Sequence, residues 1–208
     1  MKSRRRAKAK PGPPFDLKKM ERGIRLFLEG MGPAAPPDVL RETPRLVARA
    51  WARELLAGWS AGREPLLVPL PEKPPDSLIV VRGLRFVSIC RHHLLPFQGT
   101  AAVAYLPGSR LAGFSAVARL VDALARRLQI QEDLSEDILD ALEESLSPRG
   151  AACLLEASHQ CMTCRGAAQP GARVTTLRFR GIFEREPARK RELIPLLQGP
   201  PAAGGTIP

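Results

Sequence analysis

All three histidines of this 208-residue chain, His92, His93 and His159, stand within three residues of a cysteine. Indifferent placement would rarely do that. Cys90-Arg91-His92-His93 offers a donor pair at C-x-x-H spacing, which needs a tight turn to bring both side chains to one point. Cys161 supplies a third soft donor from a distant segment. Three nitrogen and sulfur donors with a fourth position open are the arrangement of a catalytic zinc site, in which bound water is acidified to a pKa near ~7. A second reading uses the same residues. Cys90 and His93 with Cys161 and Cys164 would form a closed four-donor zinc site without chemistry, since the C-x-x-C spacing of the second pair suits a zinc knuckle. That reading leaves His92 and His159 without a role. If the second segment is a strand, alternation puts His159, Cys161, Thr163 and Arg165 on one face, an order suited to proton transfer, metal binding and anion recognition. Cys153 lies in an apolar run and is expected in the core.

Composition bounds where such a site would work. A hydrophobic fraction of 44% with 25% charged residues is ordinary for a globular protein. The apolar runs are too short to cross a bilayer and no segment resembles a secretory signal, so a cytoplasmic protein without membrane partners is expected. Four unevenly spaced cysteines suit metal or catalytic work better than a disulfide framework. The net charge of +11 is concentrated in Lys2, Arg4, Arg5, Arg6, Lys8 and Lys10. That arm runs into Pro11-Gly12-Pro13-Pro14, and residues 1–14 read as disordered. A solvated tail is favoured over nucleic-acid contact. The remaining excess suits an anionic substrate such as a nucleotide.

The site needs elements to hold it. Apolar residues at Met20, Ile24, Phe27 and Leu28 predict a helix from Phe15 to about Glu29. Thr43-Pro44 is read as the cap and first turn of a second helix carrying Val47, Trp51, Leu55 and Leu56. Pro-rich sequence from Pro65 to Pro75 closes this N-terminal region, 15–76. In the catalytic region, 77–197, Leu78 to Cys90 and Gly99 to Tyr105 predict strands around a turn at His93 to Pro96. Ser115 is expected to open one helix and Ser135 another, with Glu136 and Asp137 in its first turn. Strands near Ala151 to Thr163 and Arg173 to Phe183 complete an α+β unit, an antiparallel sheet with two helices on one face. Residues 198–208 read as a disordered tail.

From Val87 to Leu197 the chain resembles the catalytic core of GTP cyclohydrolase I. The motifs are SICRHHLLPF (Ser88 to Phe97), GFSAVARLV (Gly113 to Val121), RRLQIQEDL (Arg126 to Leu134), ASHQCMTCRG (Ala157 to Gly166) and RGIF (Arg180 to Phe183). Several motifs in order make the resemblance specific. It implies the tunnelling fold (T-fold), a homodecamer with sites at subunit interfaces, and hydrolytic opening of the guanine imidazole ring of GTP. Formate leaves, and the skeleton recloses as 7,8-dihydroneopterin triphosphate. It further implies Zn2+ on Cys90, His93 and Cys161, proton transfer by His92 and His159, and guanine anchored by Glu132 beside Gln131. Ser115, Arg119 and Arg165 would serve the triphosphate and ribose.

The chain also departs from the family's usual pattern. Arg91 stands where glutamate is usual, Ala116 where lysine is usual, and Leu46 where arginine is usual. Val174-Thr175-Thr176-Leu177 replaces Thr-x-Thr-Ser. Charge-assisted contacts to phosphate are worth about 1.5–3 kcal/mol each, so the losses at Ala116 and Leu46 weaken the expected grip on a triphosphate. Arg45, Arg91 and Arg178 are the candidates to replace them. A paralogue acting on another purine nucleotide and a non-catalytic zinc module are the competing functions.

Overall fold

The computed structural model describes residues 15–60 and 67–199. The basic arm and residues 200–208 lie outside the described residues; of the expected tail, Gln198 instead closes a helix. Two compact units part between Glu64 and Pro65.

In the N-terminal unit, α1 (Leu17–Glu29) is capped by Asp16, whose carboxylate accepts the Lys19 N–H at 2.9 Å. Helix α2 spans Pro37–Ala50, then Trp51–Leu55 winds as one π-type turn before α3 (Ala57–Ser60). The expected start at Thr43 is therefore corrected. Pro36 and Pro37 begin the helix, where a missing N–H costs nothing, and Pro44 is accommodated inside it as a buried residue.

The second unit contains β1 (Pro69–Leu70), β2 (Ile79–Cys90), β3 (Pro96–Leu106), β4 (Leu111–Ala112) and α4 (Phe114–Ala125). These are followed by β5 (Leu128–Gln129), α5 (Gln131–Leu146), β6 (Gly150–His159), α6 (Gln160–Thr163), β7 (Val174–Gly181), α7 (Ile182–Arg185) and α8 (Pro187–Gln198). The main sheet has the order β5-β2-β3-β6-β7, antiparallel except where β5 runs parallel to the end of β2. The small β1–β4 pair stands apart, and Leu67 just before it is fully buried, so part of the expected linker belongs to this unit's core.

Strand alternation divides the core in two. Ala101, Val103, Tyr105, Cys153, Leu155 and Ala157 face α4 and α5, while Ala102, Ala104, Leu106, Ala152 and Leu154 face Phe183, Leu193 and Leu197 of α7 and α8. Two helices on one face are as expected. The helices α7 and α8 on the opposite face were not, and they explain why β3 and β6 read as continuous apolar runs rather than alternating ones. Cys153 is fully buried, which pushes its thiol pKa up.

Gly99 lets β3 and β6 approach. It pairs with Ala157, and a Cβ there would collide with the Glu156 carbonyl oxygen. Gly99→Ala is expected to destabilise the protein by about 1–3 kcal/mol. Urea unfolding would show a lower midpoint with an unchanged slope.

Candidate metal centre

Strand β2 ends on Cys90, and the chain turns at once. The Leu94 N–H donates to the Cys90 carbonyl and the Cys90 N–H to the Leu95 carbonyl, both at 2.9 Å. Leu94 closes the turn at φ 56, a left-handed conformation unusual for a leucine. This is the tight turn that C-x-x-H spacing requires. The neighbouring β5 braces it, because Arg91 N–H donates to the Gln129 carbonyl at 3.2 Å. Gln129 is itself buried, with its amide nitrogen donating to Ser88 Oγ and to the Leu124 and Ala125 carbonyls.

The third donor arrives differently from expectation. Strand β6 stops at His159, and Gln160–Thr163 form a single helical turn. Cys161 is thus aimed by that turn, and the single strand face proposed for His159, Cys161, Thr163 and Arg165 does not exist. The pairing of β6 with β3 ends at His159 opposite Phe97, so no ladder continues the alternation.

The donor atoms of Cys90, His93 and Cys161 all lie within 4.8 Å of one another. A tetrahedral zinc with roughly 2.3 Å bonds to sulfur and roughly 2.0 Å to nitrogen spaces its donors about 3.5–3.8 Å apart. Small side-chain rotations close that difference, so the donor set fits a divalent metal. Burial, and after it the adjacent Cys90 thiol, pushes the Cys161 thiol pKa up, while Arg165 pulls it partly back. A cation between the thiols removes that mutual penalty.

Cys164 does not join the cluster. It is exposed, and its Sγ donates to the Gln160 carbonyl at 2.9 Å. The three donors therefore stand without the fourth cysteine of the closed-site reading. Cys164→Ser is expected to retain a full complement of metal, measured by atomic emission on the dialysed protein; loss of metal would restore the four-donor arrangement.

His159 ends β6 two residues before Cys161, with its ring stacked on Phe97, centroids 4.5 Å apart and planes 5° from parallel. Its Nε2 is 2.8 Å from Gln131 Oε1. Burial lowers the His159 pKa, and the nearby Glu132 charge opposes that shift. His92 is exposed, with Nδ1 4.0 Å from Cys90 Sγ.

Glu132 occupies the first turn of α5, a helix that begins at Gln131 rather than at Ser135. Ser135 Oγ instead donates to the Glu132 carbonyl inside that turn, at 2.7 Å. The acids of the first turn are Glu132 and Asp133, which complement the helix dipole. Glu132 is exposed, whereas Gln131, expected at the substrate, has a buried side chain engaged by protein partners. Ser115, Arg119 and Arg165 are exposed. The two arginines have no carboxylate partner among the described residues, whereas the three candidates for compensation are all paired. Arg91 meets Asp133 at 3.2 Å, Arg178 meets Glu136 at 3.2 Å and Arg45 meets Glu42 at 3.7 Å. Ala116 packs in the core at 8% exposure.

Motif order now coincides with convergence of the donors in space. The GTP cyclohydrolase I family model matches residues 20–198. The chain belongs to the GTP cyclohydrolase I family. Among relatives, GTP cyclohydrolase 1 of Thermobifida fusca is 41% identical over 187 residues, 89% of this chain and 90% of that protein. The enzymes of the same name from Desulforamulus reducens and Rhodopirellula baltica are each 39% identical. Each match covers 88% of this chain, with 98% and 79% of the relatives' own lengths. Among solved structures, the apo form of archaeosine synthase QueF-Like aligns at a TM-score of 0.44 and 18% identity, covering 52% of this chain and 97% of that one. Within the described residues no helix is long and apolar enough to cross a membrane.

Residue types alone did not reveal Phe97, the platform under His159, or Asp133, the tether of Arg91. Phe97 stands at the end of SICRHHLLPF, but nothing in that motif signals which ring it supports.

Proposed function

We propose that this chain is a zinc-dependent GTP cyclohydrolase I, which opens the guanine imidazole ring of GTP by hydrolysis and yields formate and 7,8-dihydroneopterin triphosphate. The convergence of Cys90, His93 and Cys161 carries the reading, together with family membership. The two thiolates and the imidazole hold Zn2+, which supplies when bound the Lewis acidity that makes water a nucleophile near neutral pH. His159, on its Phe97 platform, and His92, at the exposed rim, move protons during ring opening and formate release. Glu132 accepts hydrogen bonds from the ring N–H and amino group of guanine, which selects the base. Ser115, Arg119 and Arg165 meet the ribose and phosphates; exposed guanidinium groups with no carboxylate partner among the described residues suit that work.

The working molecule is a homo-oligomer, read as a decamer with sites shared between subunits. Strand β7 is an edge strand, and β5 covers only the last two residues of β2, which leaves two ladder edges for neighbouring copies. Reduced thiols in the metal site suit the cytoplasm.

Incubating the purified protein with GTP should release formate and, after oxidation, a fluorescent pterin. Absence of both would refute the reading. A second reading, another purine nucleotide or fewer phosphates, is favoured by Ala116, which fills an apolar site where a cation is usual. Competition among GTP, GDP and guanosine decides: equal kcat/KM for all three would exclude a triphosphate-selective enzyme.

A further inference from the structure

The side chain of Gln131 is 1% exposed, yet all of its polar capacity is used. Its amide nitrogen lies 3.2 Å from the Leu155 carbonyl oxygen, 3.0 Å from the Val174 carbonyl oxygen and 3.0 Å from Thr176 Oγ1. Two of these are carbonyls and can only accept. Turning the amide over would set its oxygen against both, so the nitrogen belongs on that side. Oε1 is thereby directed at His159 Nε2, 2.8 Å away, and an amide oxygen can only accept. Nε2 therefore carries a hydrogen whatever the charge on the ring.

We propose that Gln131 is a positioning residue for the proton-transfer step. It reserves Nε2 of His159 for its own hydrogen bond and leaves Nδ1 as the ring atom that gives and takes the proton. Phe97, fully buried, holds the plane of the ring by stacking, and the hydrogen bond stops the ring from turning over within that plane. The strand register supplies the rest, because Leu155 and Thr176 are partners across β6 and β7 and present their acceptors together. This also gives the hydroxyl of Thr176 its purpose. The inference rests on the reading of His159 as a proton-transfer group.

Two measurements test it on the full-length, metal-loaded protein. Neutron diffraction from deuterium-exchanged crystals should show deuterium on His159 Nε2 and both amide deuterons of Gln131 turned toward the strand acceptors. A bare Nε2, or an amide of opposite sense, overturns the proposal. In kinetics, Gln131→Met keeps the volume and removes both polar ends. It should lower kcat roughly 10²-fold, within the span of general acid–base contributions, with KM for GTP changed less than about threefold. Zinc content should stay at the wild-type level. The same substitution in a His159→Ala background should cost nothing further, because Gln131 acts through the ring it orients. An equal loss in both backgrounds would mark Gln131 as merely structural and overturn the proposal. Should Gln131→Met not fold, the neutron result decides alone. A wild-type protein that releases no formate from GTP would refute the reaction reading, whereas the placement of the ring proton is judged by diffraction.

Discussion

Cys161→Ser is expected to leave the protein without its metal and without turnover. The substitution replaces a soft thiolate by a hydroxyl that stays protonated at working pH, so two donors remain where three converged. Outer-sphere partners of a metal typically contribute 10–100-fold to affinity, and loss of a donor atom exceeds that. Emission spectroscopy on dialysed protein should show zinc falling from about one per chain to a trace, and formate release should fall below detection. The fold should survive, because Cys161 sits half-buried on the one-turn α6 rather than in the core. Far-UV circular dichroism checks that point. A fully active, zinc-loaded serine variant would refute the ligand assignment.

His159→Ala should separate chemistry from metal binding. All three donor residues are untouched, so zinc stays at the wild-type level. The proposed proton-transfer group is gone, and kcat is expected to fall by about 10²–10⁴-fold, the range such groups contribute. Removing the ring also exposes Phe97, on which it stacks, and leaves Gln131 Oε1 without its partner. A modest drop in thermal midpoint should accompany the kinetic loss. Unchanged turnover would argue against any proton role for this residue. Taken together, the two variants share an inactive phenotype but differ in metal content, which distinguishes a lost ligand from a lost proton carrier.

The donors were legible in the sequence because their chemistry is rare and local. Cysteine and histidine at C-x-x-H spacing demand a turn, and the Cys90 to Leu95 turn is there. Cys161 could be named for the same reason, but its geometry could not. The alternation of β6 gives no sign of where the ladder stops, and the chain leaves the sheet at His159 because its pairing with β3 ends there. Helix starts were misread where polar residues resembled caps. Thr43 and Ser135 are good capping types, yet both lie inside helices that begin earlier, α5 without any side-chain cap. The hidden partners, Phe97 under His159 and Gln131 behind it, depend on strand register and on the packing of α5, neither of which has a local signature. Helix α8 was passed over because only Leu193 and Leu197, one turn apart, are buried from it.

The first turn of α5 sets three consecutive side chains to three different tasks. Gln131 reaches back to β6, β7 and His159, Glu132 stays exposed, and Asp133 holds Arg91 of the metal turn. Each residue advances a helix by about 100°, so inserting or deleting one here would swing all three side chains out of alignment at once. Point substitutions can explore this turn, but indels cannot. On the proposed roles of Glu132 and His159, a variant with altered base preference would arise by exchange of side chains on an unchanged backbone, and proton handling would feel such exchanges.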